Sequence, residues 1–212
     1  MYLGGGDVLS AADLAPFVQD TLDELEFILG PATSPFGSMR AALGYPEPWK
    51  LKYVEIGNED NISGGPASYA AYRFPMFYNA IHALYPDLII VSSTGGLTAV
   101  GEGSMTDFHL YARPDWYVYV AFQRFDNIDR THKVFVGEYA NVQYNLRNTI
   151  TGVNWSAPKL EYPIWVGAVS EAIFAIGCER NADLVIGMSY APGFQNLNSY
   201  EWSVSFPLIV YV

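Results

Sequence analysis

The stretch Tyr53-Val54-Glu55-Ile56-Gly57-Asn58-Glu59-Asp60 decides how the rest of the chain is read. Residues 51–57 form a short apolar run that ends in Asn58, Glu59 and Asp60, the pattern of a buried strand with polar residues at its carboxyl end. Similar runs follow at 88–93, 108–111, 134–138 and 184–188. Helical patterns lie between them: 69–85, expected to break or kink near Pro75, then 114–125 opened by Pro114, then 164–176. Ahead of the first strand, Leu14, Phe17, Val18, Leu22, Leu25 and Leu29 recur at helical spacing, and Gly30-Pro31 stops that helix. Residues 33–49 read as a connection containing Pro and Gly.

Alternating strands and helices predict a parallel α/β architecture. The strands are apolar throughout rather than alternating, as expected where helices cover them. A closed eight-stranded barrel typically takes about 250 residues. The four βα units counted here therefore predict a partial (β/α)8 TIM barrel, roughly its C-terminal half.

Composition narrows the function. Acids outnumber bases 22 to 11, for a net charge of -11, and no Lys/Arg cluster exists to bind phosphates, so nucleic acid is not an expected partner. No apolar run has the length of about 18 residues that a membrane span needs, so no membrane partner is expected either. The single cysteine, Cys178, excludes an intrachain disulfide and a Cys-based metal site. The 16 Tyr and 5 Trp suit stacking on sugar faces, and equally suit a large core. Residues 1–7 carry no signal-peptide pattern, and the sequons at Asn61 and Asn154 point only weakly to secretion.

In barrels of this kind, chemistry sits at the carboxyl ends of the strands. The polar residues there are Asn58, Glu59 and Asp60; Ser92, Ser93 and Thr94; His109 and Tyr111; Glu138 and Tyr139; Ser189 and Tyr190. Two glutamates on different strands are the set that glycosidic cleavage needs, one to protonate the leaving oxygen and one to act as an ionised carboxylate. The bland alternatives are a loop carboxylate at Glu59 and a structural ion pair between Glu138 and Arg113. His109 and Tyr111, two residues apart, share one face of a strand. Tyr111 could orient the Glu138 carboxylate, while His109 could line the same pocket or be a satisfied core histidine. No second His stands at metal-ligand spacing from His109, so no metal site is expected. Neither a phosphate loop nor a Gly-x-Ser-x-Gly elbow is present.

Four segments in this order, Tyr53 to Asp60, Phe108-His109-Leu110-Tyr111, Val136-Gly137-Glu138-Tyr139-Ala140 and Met188-Ser189-Tyr190-Ala191-Pro192, resemble the α-L-arabinofuranosidases of glycoside hydrolase family 51, above all their fungal branch. The resemblance runs over about residues 1 to 202. It implies a retaining double displacement without a cofactor. Glu59 corresponds to the acid/base and Glu138 to the nucleophile. Asn58 corresponds to the residue that binds the 2-hydroxyl, and His109 and Tyr111 to pocket residues around the nucleophile. Gln195 and Asn196 are further candidates for sugar contacts. The implied partners are arabinose-containing polysaccharides or oligosaccharides, and an extracellular location is implied for the full-length parent. Competing readings are a fragment that at most binds sugar, and another retaining glycosidase of the same barrel clan. Residues 1–203 read as part of a catalytic domain. Residues 204–212 leave the family pattern, and Val204-Ser205 can be encoded by the bases that commonly open an intron, so this tail is expected to be translated intron sequence.

Overall fold

The computed structural model describes residues 8–62, 65–94, 96–97, 99–101, 103–147, 151–160, 163–191, 193–196 and 209–211. The chain divides into two compact units, Met1–Thr106 and Asp107–Val212.

The first unit opens with α1 (Ala11–Leu29). Ser10 caps it by accepting the Asp13 amide at 3.2 Å, and the Ser10 hydroxyl donates to the Asp13 carboxylate at 2.7 Å. Leu14 and Leu25 form its buried stripe, and the Gly30 amide closes its end on the Glu26 carbonyl. A second helix, α2 (Pro35–Ala42), lies inside the stretch expected to be a plain connection. Its start carries a recognisable signal: Ser34 accepts the Gly37 amide, and Pro35 occupies the first turn, where a missing N–H costs nothing. From α2 the fully buried Arg40 donates to the Phe27 and Ile28 carbonyls at the end of α1, the place where a helix welcomes a cation.

Strand β1 (Tyr53–Ile56) pairs in parallel with β2 (Ile89–Ser92), Tyr53 against Ile89 through Ile56 against Ser92. Val91 and Ser92 then pair in parallel with Met105 and Thr106 at the start of β3 (Met105–Ala112). The connection between β1 and β2 is helical but not uniform. A short α3 (Gly65–Ser68) passes into a wide π-helical turn over Tyr69–Arg73 and then into α4 (Phe74–Leu84). The break expected near Pro75 is this turn: Pro75 has no N–H to continue an ordinary α-helical ladder, and the Phe74 amide bonds the Tyr69 carbonyl instead. Leu25, Ile56, Tyr69, Phe74, Ile81, Leu88 and Ile90 form the core of this unit.

The second unit holds the rest of β3, then α5 (Pro114–Tyr119), a 3-10 turn (Ala121–Gln123), β4 (Val134–Asn141), α6 (Trp165–Arg180) and β5 (Val185–Tyr190). Its strands follow chain order, β3-β4-β5, with β4 and β5 parallel and Val134 opposite Val185. Helix α6 packs on α5 and the 3-10 turn, around the rings of Tyr117, Phe125 and Phe174. Parallel strands in chain order, linked mostly through helices, make this an α/β fold of the partial (β/α)8 kind. A short parallel pair joins β6 (Phe194–Asn196) to β7 (Ile209–Tyr211), the latter inside the 204–212 tail. No described helix is long and apolar enough to cross a membrane.

Candidate active site

In the first unit the candidate residues stand at the end of β1. Gly57 turns the chain at φ 98°, and Glu59 follows at φ 48°, in the left-handed region that a non-glycine residue seldom occupies. A buried polar network holds this turn. The Asn58 amide donates to Asp60 Oδ2 at 3.1 Å, and Ser93 Oγ donates to the same oxygen at 2.6 Å. The Asp60 amide donates to the Ser93 carbonyl at 2.8 Å. Arg73, delivered by the π-helical turn, ion-pairs with Asp60, and both side chains are 3% exposed. The Tyr69 hydroxyl donates to the Ile56 carbonyl and accepts the Ser93 amide at 2.9 Å. Burial pushes the Tyr69 phenol well above its ordinary range, so it stays a donor. A carboxylate and a guanidinium this deeply buried persist only when paired and hydrogen-bonded, as these are. Their effect is to fix Asn58 and Glu59 beyond the strand end. Asn58 is exposed and lines a cavity of about 470 Å³ together with Val54, Ile56, Asp60, Phe77 and Ile81.

The second unit has its own candidate residues, on β3 and β4. Tyr111 donates its hydroxyl to Glu138 Oε2, and His109 Nδ1 lies 3.5 Å from the same oxygen. Glu138 keeps 25% of its side chain accessible, against 8% for His109. The other ring nitrogen, His109 Nε2, pairs with Asp107, whose carboxylate is 1% exposed. Tyr111 meets the exposed Trp155 edge to face, with ring centroids 5.9 Å apart.

The bland alternative for Glu138 does not hold. Arg113 does not pair with Glu138: it lies 3.7 Å from Asp115 and donates to the Thr151 carbonyl, because it follows β3 and is drawn to the loop after β4. Gln195 and Asn196 stand on β6 by backbone, and their side chains lie outside the described residues, as do residues 197–208. In the sequence Asp60 and Ser93 stand out only as polar strand-end residues, and Arg73, Tyr69 and Asp107 carry no assigned role. A charged residue two positions before the His109-Leu110-Tyr111 face, on a strand otherwise apolar, was the available signal for Asp107.

Parallel strands linked mostly through helices define the class: an α/β domain of the (β/α)8 kind, in which active sites sit toward the carboxyl ends of the strands. A family model described as alpha-L-arabinofuranosidase 1 domain matches residues 1–130, and the chain belongs to that family. It is 44% identical over 204 residues to alpha-L-arabinofuranosidase A of Aspergillus kawachii and 43% identical to that of Aspergillus niger, in each case over 94% of this chain and 30% of the relative. The chain thus spans about a third of the length of these relatives. Among solved structures, an arabinose-bound family 51 α-L-arabinofuranosidase superposes with a TM-score of 0.83 at 34% identity, over 99% of this chain and 33% of that one. The arabinose complex of the Thermotoga maritima α-L-arabinofuranosidase shares the fold at 17% identity, with a TM-score of 0.61.

Proposed function

We propose that this chain carries the catalytic carboxylates of a retaining α-L-arabinofuranosidase that releases terminal arabinofuranosyl units from arabinose-containing polysaccharides or oligosaccharides. The observation that carries the reading is the clasp on Glu138, a carboxylate within β4 with Tyr111 and His109 both directed at Oε2. Both contacts fall on one oxygen, so Oε1 is the natural attacking atom. The names of the relatives supply the substrate class.

In the first step Glu138 Oε1 bonds to C1 of the arabinofuranosyl unit. The bond from C1 to the leaving oxygen breaks, and Glu59 gives that oxygen its proton. In the second step Glu59, now a carboxylate, takes a proton from water. The water oxygen bonds to C1, the ester to Glu138 breaks, and both glutamates return to their starting states. Asn58, beside the acid/base, binds the 2-hydroxyl, while Gln195 and Asn196 contribute further sugar contacts. An extracellular location follows for the full-length parent, because polymeric substrates lie outside the cell. Residues 1–203 are assigned to the catalytic domain, and 204–212 to a translated intron, an origin that a mature transcript with these codons in frame would rule out.

Hydrolysis of a nitrophenyl arabinofuranoside by the protein and by its Glu59→Gln and Glu138→Gln variants tests the assignment. Loss of turnover by about 10³-fold or more is expected for Glu138→Gln, since an amide cannot form the glycosyl ester. Undiminished turnover in either variant refutes the role given to that residue.

A further inference from the structure

We propose that Asp107 is a positioning residue for this reaction: it holds His109 by Nε2 and so presents Nδ1 to Glu138. The proposal rests on the reading of Glu138 as nucleophile. Three groups stand in line, the Asp107 carboxylate, the His109 ring and the Glu138 carboxylate, with ring contacts at Nε2 on one side and at Nδ1, 3.5 Å from Oε2, on the other. A ring nitrogen in contact with a buried carboxylate carries its proton there, because the carboxylate only accepts. With Nε2–H committed to Asp107, any further proton on the ring can sit only on Nδ1, where it points at the nucleophile.

Asp107 is itself oriented from the nucleophile's own strand. The amide of Gly137, the residue before Glu138, donates to Asp107 Oδ1 at 2.8 Å. A Cβ at position 137 would collide with that carboxylate, so glycine makes the room that Asp107 occupies. Oδ1 is therefore fixed by the backbone of β4, while Oδ2 stands in contact with the His109 ring, so the carboxylate ties the ring to the strand that carries Glu138.

This arrangement makes Asp107→Asn an informative change. The Gly137 amide selects the carbonyl oxygen of the new side chain, which turns its NH₂ group toward His109 Nε2. That nitrogen must then accept, and the ring proton moves to Nδ1. Nitrogen-15 NMR of His109 reads the change directly. The expected result is a proton on Nε2 in the unsubstituted protein and its loss from Nε2 in Asp107→Asn. Alongside it, kcat should fall about ten-fold or more with KM within about two-fold, since the ring acts on the nucleophile rather than on substrate binding. In a His109→Ala background, Asp107→Asn should cost little more, because its effect passes through the ring. An unchanged His109 proton position in Asp107→Asn overturns the proposal, as does a full additional loss in the His109→Ala background. Should the variant not fold, the unsubstituted protein still decides, for a ring protonated on Nδ1 alone is incompatible with the arrangement. Azide rescue of Glu138→Ala separately tests the nucleophile. If rescue fails while the His109 proton still shifts in Asp107→Asn, the role of Glu138 is wrong and the positioning of the ring stands.

Discussion

Glu59 takes its left-handed backbone, φ 48°, two residues after Gly57 at φ 98°, and such conformations persist only where the surroundings hold them. Asp60, Ser93, Arg73 and Tyr69 are those surroundings. Gly57 is required twice over, since a side chain there would be strained at this φ and its Cβ would meet Asp60 Oδ2 and Ser93 Oγ. Gly57→Ala is expected to lower stability by about 1–3 kcal/mol and to reduce turnover by displacing Glu59. Urea titration and the nitrophenyl assay read both effects, and an unchanged midpoint would mean the turn tolerates a Cβ. At this scale the proposed catalytic pair is legible, because Glu59 and Glu138 stand where apolar runs of the sequence end. Arg73 and Asp107 are not. Their meaning lies in partners, Asp60 for one and His109 with Gly137 for the other, and no local pattern announces a partner.

Among the elements, the helices show what capping supplies. Both α1 and α2 begin on a serine that accepts an amide three residues on. Ser34→Ala should cost about 1 kcal/mol, or about 2–4 °C in melting temperature for a chain of this size. Differential scanning calorimetry measures it, and no shift at all would show that α2 is held by its packing on α1 rather than by its cap. The presence of α2 was readable from Ser34-Pro35, yet the Pro and Gly content of the segment suggested a loop. The π-helical turn was half readable. Pro75 marks an interruption, but only the need to bring both Tyr69 and Arg73 to the end of β1 gives the wide turn its purpose.

For the molecule as a whole, buried acids set the response to alkali. Burial pushes the Cys178 thiol from 9.0 up to about 12 and raises the Tyr69, Tyr117, Tyr139 and Tyr190 phenols above 10.0. A group harder to ionise when folded than when unfolded adds stability that is complete below its unfolded pKa and is lost as pH rises toward its folded one. Stability should therefore hold up to about pH 9 and then decline, first through Cys178 and then through the tyrosines. Urea midpoints measured from pH 7 to 11 give the profile, and a flat line across that range would contradict it. Periodicity alone marks the five strands of the sheet, most of the helices and the parallel sense, and it sets Glu59 and Glu138 at the ends of apolar runs, but it marks neither α2 nor the continuation of β4 to Asn141. Periodicity and strand termini are local properties of the chain, and a parallel fold follows from their succession. The tertiary structure alone decided which side chains face one another: that Tyr111 and His109 meet Glu138 while Arg113 turns away, and that Asp107 reaches both His109 and Gly137. Those contacts depend on strand register and on the space a missing Cβ leaves, and such quantities exist only once distant parts of the chain are packed together.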